Sequence, residues 1–366
     1  MTSRPSTRGG ARRATISDVA RAAGVSPSTA SLAFSGAGPV SDTTRARVLA
    51  AARELDYGGP DPLARSLRRG RCGVVAVVVG ERLGYAFRDP MMVAVLDGLA
   101  EVVGTLDSSL LLVPARSSAD SGAARLTSLA MDAAVLLDCE APAAALLGAL
   151  HRRGVVVVGI DGPATGAVPQ VRIDDEGGTA ALVAHLCGLG HRDLGVITLP
   201  LGPDGAGGPL TEADLDALGP DAVPGVPRRR IAAARAATLA APETRVRFVQ
   251  AGWNLVEEGE RAAATLLDAP DRPTALIAQS DVLALGCLRA ASTRGLDVPG
   301  DLSVAGFDGV DLHLMGSIRL TTIEQPATEK GRAAGRMVAA ALAGDTPDDV
   351  LLPIVLRIGT TTGPPN

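Results

Sequence analysis

The chain has 366 residues, of which 46% are hydrophobic and 20% are charged, so it can form two or three domains with sizeable cores and is not a mostly disordered protein. No apolar run approaches the roughly 20 residues that cross a bilayer, and the arginine-rich N-terminus lacks the apolar segment of a signal peptide. We therefore expect a soluble, intracellular protein with no membrane partner, whose four separated cysteines are free thiols.

The net charge of −5 is unevenly distributed along the chain. Residues 1–71 contain twelve arginines and five acidic residues, a charge of +7, whereas the remainder carries −12. Residues 1–13 are rich in Ser, Gly and Arg, and we predict that they form a disordered tail. The other arginines of this region are interleaved with helical patterns. The charge distribution therefore predicts a polyanion-binding head joined to an acidic globular body.

Two short helices joined by a tight turn are predicted after the tail. Thr15 and Asp18 can cap the first helix, and Gly24 can adopt the left-handed conformation that ends it. Ser26 and Pro27 are suited to start the second helix, and a third predicted helix covers the first two. This arrangement is typical of a helix-turn-helix, whose second helix enters the major groove of DNA, although any three-helix core has a similar pattern.

The residue types of this segment are more specific than its helical pattern. D-V-A-x-x-A-G-V-S-x-x-T-x-S, followed by V-S-x-x-T-R-x-R-V and E-L-x-Y, resembles the DNA-binding head of the lactose/galactose repressor (LacI/GalR) family of bacterial transcriptional regulators. The resemblance implies a helix-turn-helix domain over residues 14–58. It also implies base-reading residues, Pro27, Ser28 and Leu32, and residues that mostly contact phosphates, Thr15, Ser26, Thr29, Ser31 and Ser35.

Two of these residues differ from what the family leads us to expect. Ser35 stands where the family usually has Asn, and Leu32 cannot make the bidentate guanine contact of an arginine. Leu32 either contacts a thymine methyl group or belongs to the core. We therefore do not expect this chain to share the operator of a relative that carries arginine at that position.

A further short helix is predicted within residues 59–72. An Asp-Pro pair can start it, and the following L-A-R-S-L resembles the family's hinge helix, which inserts a leucine into the minor groove. The resemblance implies that Leu63 is the wedge, Ala64 its small neighbour and Arg65 a phosphate contact. The preceding Gly-Gly-Pro sequence is equally typical of a plain interdomain linker, which is the alternative interpretation.

From Gly73 onward, short buried strands alternate with amphipathic helices, a pattern that predicts parallel sheets with helices on both faces. About 290 residues exceed one comfortable sheet, so we expect two α/β lobes with a ligand cleft between them at the carboxyl ends of the strands. The predicted strands are 74–79, 109–113, 133–138, 155–160, 194–198, 246–250, 275–278 and 302–305, and the predicted helices include 91–103, 177–189, 255–267 and 282–294.

Motifs in this body also resemble the LacI/GalR family, whose effector domain is similar to two-lobed periplasmic sugar-binding proteins. They are R-D-P-M-M-V-A-V-L-D-G-L, V-R-I-D-D-E-G-G, H-L-C-G-L-G-H-R-D-L-G-V-I, D-V-P-G-D-L-S-V-A-G-F-D and the lobe-crossing L-T-T-I-E-Q-P. The resemblance implies an effector domain, 73–366, with a first lobe at about 73–166 and 327–345 and a second at about 167–326 and 346–366. The insert 201–227, rich in Gly, Pro and Asp, is predicted to be a long mobile loop.

The same resemblance implies five effector-binding residues: Asp161, Arg230, Trp253, Ser280 and Asp308. An arginine can bridge two hydroxyls or a carboxylate, and an aromatic face suits the C–H face of a sugar. Alternatively, Arg230 and Asp308 form an ordinary salt bridge and Trp253 belongs to the core. A sugar, another polyol or a nucleoside-like molecule fits this set.

The sequence thus predicts a cytoplasmic, nucleoid-associated transcriptional regulator, and specifically a repressor. A homodimer would bind a pseudo-palindromic double-stranded DNA operator under the control of a small-molecule effector, without cofactor or metal. The alternatives are a solute-binding module and a sugar-processing enzyme without a DNA role. The DNA-binding head disfavours the first, and the lack of GxxxxGK[ST], HExxH and GxSxG motifs disfavours the second. Lys330 is the only lysine, which argues against lysine-dependent chemistry.

Overall fold

The computed structural model divides into two compact units, one ending at Cys72 and the other starting at Gly73. The predicted tail and the predicted hinge residues Leu63, Ala64 and Arg65 lie outside the described residues. The structure describes residues 14–35, 38–59, 70–79, 83–114, 126–137, 144–162, 168–202, 206–218, 225–241, 243–311 and 318–366.

The first unit is a head of three helices, α1 (Ile16–Ala22), α2 (Pro27–Ser35) and α3 (Asp42–Glu54). As the sequence predicts, α1 starts in a capping box: the Thr15 hydroxyl accepts the Asp18 N–H at 3.3 Å, and the Asp18 carboxylate accepts the Thr15 N–H at 3.0 Å. Gly24 follows α1 with a φ of +64°. The core of the head consists of Val19, Ala20, Ala23, Ala30, Ala33, Val48, Ala51 and Ala52.

The second unit alternates strands and helices, as the sequence predicts. Its strands are β1 (Val74–Val79), β2 (Ser109–Pro114), β3 (Ala133–Leu137), β4 (Val156–Ile160), β5 (Gln170–Ile173), β6 (Asp193–Thr198), β7 (Gly208–Leu210), β8 (Arg245–Gln250), β9 (Ala275–Ala278), β10 (Ser303–Asp308), β11 (Thr321–Glu324), β12 (Val350–Leu352) and β13 (Val355–Arg357). Its helices are α4 (Leu83–Ala86), α5 (Pro90–Thr105), α6 (Ala144–Arg152), α7 (Asp175–Gly188), α8 (Glu212–Ala217), α9 (Val226–Leu239), α10 (Val256–Leu267), α11 (Asp281–Thr293) and α12 (Ala327–Ala343).

These strands form two sheets, which define two lobes. The first sheet has the order β12-β5-β4-β3-β1-β2 and is parallel throughout. The second has the order β13-β11-β10-β9-β6-β8-β7 and is parallel except for its two edge strands. Alternate residues of a strand enter different cores: Val75, Val77 and Val79 of β1 pack with α5 and α12, whereas Ala76 and Val78 pack with α6. No helix in the described ranges combines the length and hydropathy of a membrane span.

The predicted lobe boundaries at 166/167 and 345/346 are wrong. β5 pairs in parallel with β4, with Ile160 opposite Val171, and β12 pairs in parallel with β5, with Val350 opposite the same Val171. Both strands therefore belong to the first lobe. The chain enters the second lobe after Ile173, returns after Glu324 and enters it again after Leu352. Strands of only three or four residues give too weak a pattern to be recognised in the sequence.

The predicted mobile loop 201–227 also contains regular structure. β7 extends the second sheet by pairing antiparallel with β8, with Leu210 opposite Phe248. Thr211 caps α8, and its hydroxyl donates to Asp214 at 2.6 Å. The described part of the insert is therefore an added edge strand and a short helix on the second lobe.

Two glycines bring α5 and α12 of the first lobe into close contact. A Cβ at Gly98 would overlap the Thr328 carbonyl group, and a Cβ at Gly331 would overlap the Val95 carbonyl oxygen. Only residues without a side chain permit this backbone approach. This packing holds the start of α12 against the first sheet. Lys330 lies in this part of α12 and is fully buried.

Candidate functional site

The second helix of the head, α2, presents the predicted base-reading residues on its exposed side. Pro27 and Ser28 are exposed, and Leu32, one helical turn further on, is 37% exposed. Leu32 is therefore not part of the core, which favours the first of its two interpretations. Ser31 is half-buried at the edge of this side. The exposed side of α2 carries no charge, so it can read bases only through hydroxyl and apolar contacts.

The hydroxyls predicted to contact phosphates are held at the ends of the helices. Ser26 caps α2: its hydroxyl accepts the Thr29 N–H at 3.1 Å and lies 2.8 Å from the hydroxyls of both Ser28 and Thr29. Thr15 caps α1 in the same way. The Ser35 hydroxyl donates to a carbonyl group of its own helix at 3.3 Å. Ser26 and Thr15 lie at helix N-termini, where backbone N–H groups favour anions.

In the second unit, a buried carboxylate joins two arginines. Asp175 begins α7, and its two oxygens accept Arg230 Nε at 2.9 Å and Arg229 Nη2 at 2.7 Å from α9. Burial raises the pKa of Asp175, but the charges of Arg230, Arg229 and, more weakly, Lys330 outweigh it and hold that pKa below its usual value. Asp175 was not recognised in the sequence as a site residue, although it lies in the motif V-R-I-D-D-E-G-G.

Arg230 is surrounded by partners on every side. Its Nη1 donates to the Gln279 carbonyl oxygen at 2.5 Å and lies 4.0 Å from Asp308 Oδ1, while the guanidinium carbon lies 3.5 Å from the centroid of the Phe307 ring. The structure thus brings Arg230 and Asp308 together, as predicted. The main ionic partner of Arg230 is Asp175 rather than Asp308.

Two further carboxylates lie at the carboxyl end of the second sheet. Asp308 ends β10 with a φ of +125° and accepts Gln325 Nε2 at 2.6 Å. Burial raises its pKa well above the usual value, opposed by Arg230 and reinforced by the carboxylates of Asp281 and Asp89. Asp281 accepts a hydroxyl and a backbone N–H, and burial raises its pKa to about 7. Asp308 also lines a cavity of about 450 Å³ between the two lobes.

A hydrogen-bonded chain connects the two lobes beside these carboxylates. Asp89 caps α5 in the first lobe and accepts Asn254 Nδ2 of the second lobe at 3.0 Å. Asn254 Oδ1 in turn accepts the hydroxyl of Ser280, the cap of α11, at 2.5 Å. Ser280 therefore lies at the cleft, as predicted, together with two residues that sequence reasoning missed. Trp253 is half-buried next to Asn254 and is not a core residue.

Asp161, the effector residue predicted in the first lobe, lies at the end of β4 with a φ of +55°. Its carboxylate is paired with Lys330 of α12, with 2.5 Å between Oδ2 and Nζ. Its carbonyl oxygen accepts Arg229 Nη2 of the second lobe at 3.5 Å. The main chain of Asp161 thus contacts the second lobe, whereas its carboxylate is buried against Lys330.

The cleft therefore combines fixed donors and acceptors from both lobes, which is an arrangement suited to binding a polar molecule. No group of three or more potential metal ligands occurs in the ranges that the structure describes. A second cavity, of about 390 Å³, is lined by the start of β6, by β8 and by the end of α9, and contains none of the predicted residues.

Both units of the structure are similar to known proteins. Residues 15–59 match the family model described as bacterial regulatory proteins, lacI family, and residues 183–362 match the periplasmic binding protein-like domain. A helix-turn-helix-type transcriptional regulator of Mycobacterium tuberculosis is 37% identical over 361 residues, 97% of this chain and 98% of that protein. The transcriptional repressor CytR of Escherichia coli is 31% identical over 325 residues, 88% of this chain and 87% of CytR.

Among solved structures, the transcriptional regulator CelR in complex with cellobiose superposes with a TM-score of 0.63 at 26% identity, covering 95% of this chain and 100% of that chain. The two-lobed fold and the helix-turn-helix head are thus shared with regulators of known fold.

Proposed function

Because the chain belongs to the LacI family of helix-turn-helix transcriptional regulators, we propose that it is an effector-controlled repressor, located in the cytoplasm at the nucleoid. In this proposal a homodimer binds a pseudo-palindromic operator through its two heads, and a sugar or similar polyol binds between the lobes of the second unit. The observation that supports this proposal is that one chain contains both an exposed, uncharged surface on α2 and a polar cleft between two lobes.

The head supports DNA recognition through its charge and its shape. Residues 1–71 carry a charge of +7, which favours phosphate binding and makes affinity fall steeply with salt concentration. Ser28 and Leu32 present a hydroxyl and a branched apolar group to the major groove, so a thymine methyl group suits Leu32. Leu63 as a minor-groove wedge, Ala64 as its neighbour and Arg65 as a phosphate contact stay part of the proposal on sequence grounds alone.

The cleft supports effector binding. Arg230 lies 4.0 Å from Asp308, Ser280 bonds to Asn254, and the Asp161 carbonyl group accepts from Arg229. These contacts lie at the carboxyl ends of the strands, where ligands of open α/β sheets collect. CytR, a relative, is named as a repressor, and CelR, a structural neighbour, binds cellobiose. A free solute-binding module or a sugar-processing enzyme would have no use for a helix-turn-helix head.

The experiment that tests the DNA role starts with selection of binding sites from a random double-stranded DNA pool by the full chain. We expect an enriched pseudo-palindrome, because twofold protein symmetry imposes twofold operator symmetry. Leu32→Ala should weaken binding to that site about tenfold, as expected for a lost base contact. Leu49→Ala is the matched control, since Leu49 is an equally exposed leucine on α3.

Fluorescence anisotropy with the selected site measures both variants. Equal affinities of Leu32→Ala and Leu49→Ala would contradict the role of α2 as the helix that contacts the bases. Failure to enrich any site would contradict the proposed function as a whole.

A further inference from the structure

Three hydroxyl groups meet at the start of α2, the helix whose exposed side carries the predicted base-reading residues. The Ser26 hydroxyl accepts the Thr29 N–H at 3.1 Å, and its oxygen lies 2.8 Å from the hydroxyl oxygens of both Ser28 and Thr29. Ser28 is exposed, and it lies one helical turn before Leu32 on the same side of α2. Ser28 thus faces outward while its hydroxyl is held by a neighbour.

The hydrogen bonds of Ser26 force its two neighbouring hydroxyls into opposite roles. A hydroxyl has one proton and two lone pairs. The Thr29 N–H occupies one lone pair of Ser26, so one lone pair and one proton remain for the hydroxyls of Ser28 and Thr29. One of these hydroxyls therefore donates to Ser26, and the other accepts from it. The hydroxyl that donates to Ser26 offers only lone pairs to any further partner.

A phosphate contact decides which hydroxyl has which role. In the proposed DNA complex Thr29 contacts a phosphate, and phosphate oxygens only accept hydrogen bonds. The Thr29 proton then goes to the phosphate, so Thr29 accepts from Ser26 and Ser28 donates to Ser26. Ser28 is the second residue of α2, and the N-terminal residues of the second helix of a helix-turn-helix contact base edges. The Ser28 hydroxyl therefore meets a base as an acceptor.

We propose that Ser28 recognises the amino group of adenine or cytosine, and that Ser26 is the positioning residue that sets this preference. The inference rests on the proposed DNA-binding function and deepens it. In the major groove adenine and cytosine present an exocyclic amino group, whereas guanine and thymine present a keto oxygen. A hydroxyl that only accepts bonds to the amino group and not to the keto oxygen. A serine with a free proton would accept from the one or donate to the other.

The base pair that Ser28 contacts is located by selection. The full chain and its Ser28→Ala variant each select sites from a random double-stranded DNA pool. We expect one base pair in each half-site to be specified by the wild type and to lose its preference with Ser28→Ala. Every base pair has one amino and one keto group in the major groove, so the contacted group is then identified with base analogues.

Each analogue removes a single group from that base pair. Nebularine and zebularine lack the amino groups of adenine and cytosine, whereas 5-methyl-pyrimidin-2-one and 2-aminopurine lack the keto oxygens of thymine and guanine. Fluorescence anisotropy measures the affinity for each duplex. We expect removal of the amino group to weaken wild-type binding about fivefold, the effect of one lost hydrogen bond, and to have no such effect on Ser28→Ala. Removal of the keto oxygen should affect both proteins equally.

The role of Ser26 is tested by the ratio of affinities for the selected site and for the same site with that base pair inverted. This ratio is independent of a general loss of affinity. Ser26→Ala frees the Ser28 proton, so we expect the ratio to fall towards one, whereas Ser26→Thr keeps a hydroxyl and should restore it. The matched control is Ser41→Ala, because Ser41 caps α3 in the same way, accepting the Thr44 N–H at 3.3 Å and donating to the Thr44 hydroxyl at 2.9 Å. It should keep the wild-type ratio.

Three results would overturn the proposal: a base preference that Ser28→Ala leaves unchanged at every position, a loss of wild-type affinity on removal of the keto oxygen instead of the amino group, or an unchanged ratio in Ser26→Ala. The proposed function fails in a different way. A chain that selects a pseudo-palindrome but gives one of these results binds DNA without this readout, whereas a chain that selects no site lacks the proposed function itself.

Discussion

At the scale of single residues, the Asp175 carboxylate organises the polar cluster of the second lobe. It neutralises Arg229 and Arg230, whose side chains are only 13% and 3% exposed. Each arginine in return compensates a charge that burial would otherwise make unfavourable. Removing one partner therefore costs much more than removing a surface ion pair, and the sequence alone gives no means of distinguishing these two cases.

Arg230→Ala should consequently destabilise the second unit by about 3 kcal/mol, because it removes one of the two buried charges that compensate the Asp175 carboxylate. Arg235→Ala is the control on the same helix: its ion pairs with Glu212 and Asp216 are exposed and contribute about 0–1 kcal/mol. Urea denaturation of the two variants compares these losses. Equal losses would show that the buried cluster contributes no more than a surface pair.

The expected loss of stability in Arg230→Ala changes how the effector role of Arg230 has to be tested. The simple expectation is that Arg230→Ala keeps operator binding and loses the ligand response. Because the alanine variant also loses stability, Arg230→Met is the better protein, since methionine is closer in size to arginine and the Asp175 carboxylate keeps its ion pair with Arg229. We expect it to bind the selected operator but not to respond to an effector that stabilises the wild type. A retained response would make Arg230 a structural residue.

Asp281 predicts a pH dependence of stability. Its pKa is about 7 in the folded protein, mainly because of burial, and near 3.8 in the unfolded chain. Between these values the folded state binds more protons, so the contribution of this group to the free energy of unfolding falls as pH rises from about 4 to about 7. Asp281→Asn carries no titrating group and should show a flatter decline. Melting temperatures of both proteins from pH 5 to pH 8 measure this, and parallel curves would contradict it.

At the scale of elements, the strands that could be predicted from the sequence are the long apolar ones. β1 and β3 are continuous hydrophobic runs, which is typical of strands buried on both faces. β5 and β12 are short, β5 contains Gln170 and Arg172, and β12 joins the first sheet by pairing with β5 across nearly 180 positions of sequence. Local periodicity contains no information on such a pairing, so the lobe boundaries were misplaced.

In the candidate site, too, local sequence predicts some residues, whereas distant contacts stay hidden. Asp161, Ser280 and Asp308 could be predicted because each follows a recognisable strand or lies in a motif. Asn254 and Lys330 could not, because their roles arise from partners 165 and 169 positions away. Only tertiary packing makes these contacts visible.

The contact between α5 and α12 gives a prediction at this scale. Gly331→Ala places a methyl group against the backbone of α5, so the first lobe should lose about 1–3 kcal/mol. Gly104→Ala, on α5 itself, meets no atom within 4 Å and should stabilise by about 0.5–1 kcal/mol through helix propensity alone. Thermal denaturation gives the sign of each effect. A stabilising Gly331→Ala would mean that the two helices separate easily.

At the scale of the whole second unit, two lobes are connected by three chain crossings and by a few polar contacts. The Asp89–Asn254 hydrogen bond and the Arg229 bond to the Asp161 carbonyl group both span the lobes. Three crossings allow the lobes to move as bodies, so such contacts decide how often the cleft opens. A ligand shifts that equilibrium only by its difference in affinity for the two arrangements.

Asn254→Ala should therefore favour the open arrangement. The variant removes one hydrogen bond to a carboxylate, worth about 1.5 kcal/mol, so the closed population should fall relative to the open one by roughly tenfold. The control is Asn366→Ala, which changes the only other asparagine. Asn366 bonds to the Gly300 carbonyl group near the C-terminus.

Hydrogen exchange of the amides at the starts of α5 and α11, together with the radius of gyration from small-angle X-ray scattering, measures the opening of the cleft. Faster exchange and a larger radius in Asn254→Ala alone are expected, because the other interlobe contacts cannot replace a charge-assisted bond. If both variants match the wild type in exchange and radius, the lobes are held together by the crossings and not by this bond, and effector control through cleft opening would need a different contact.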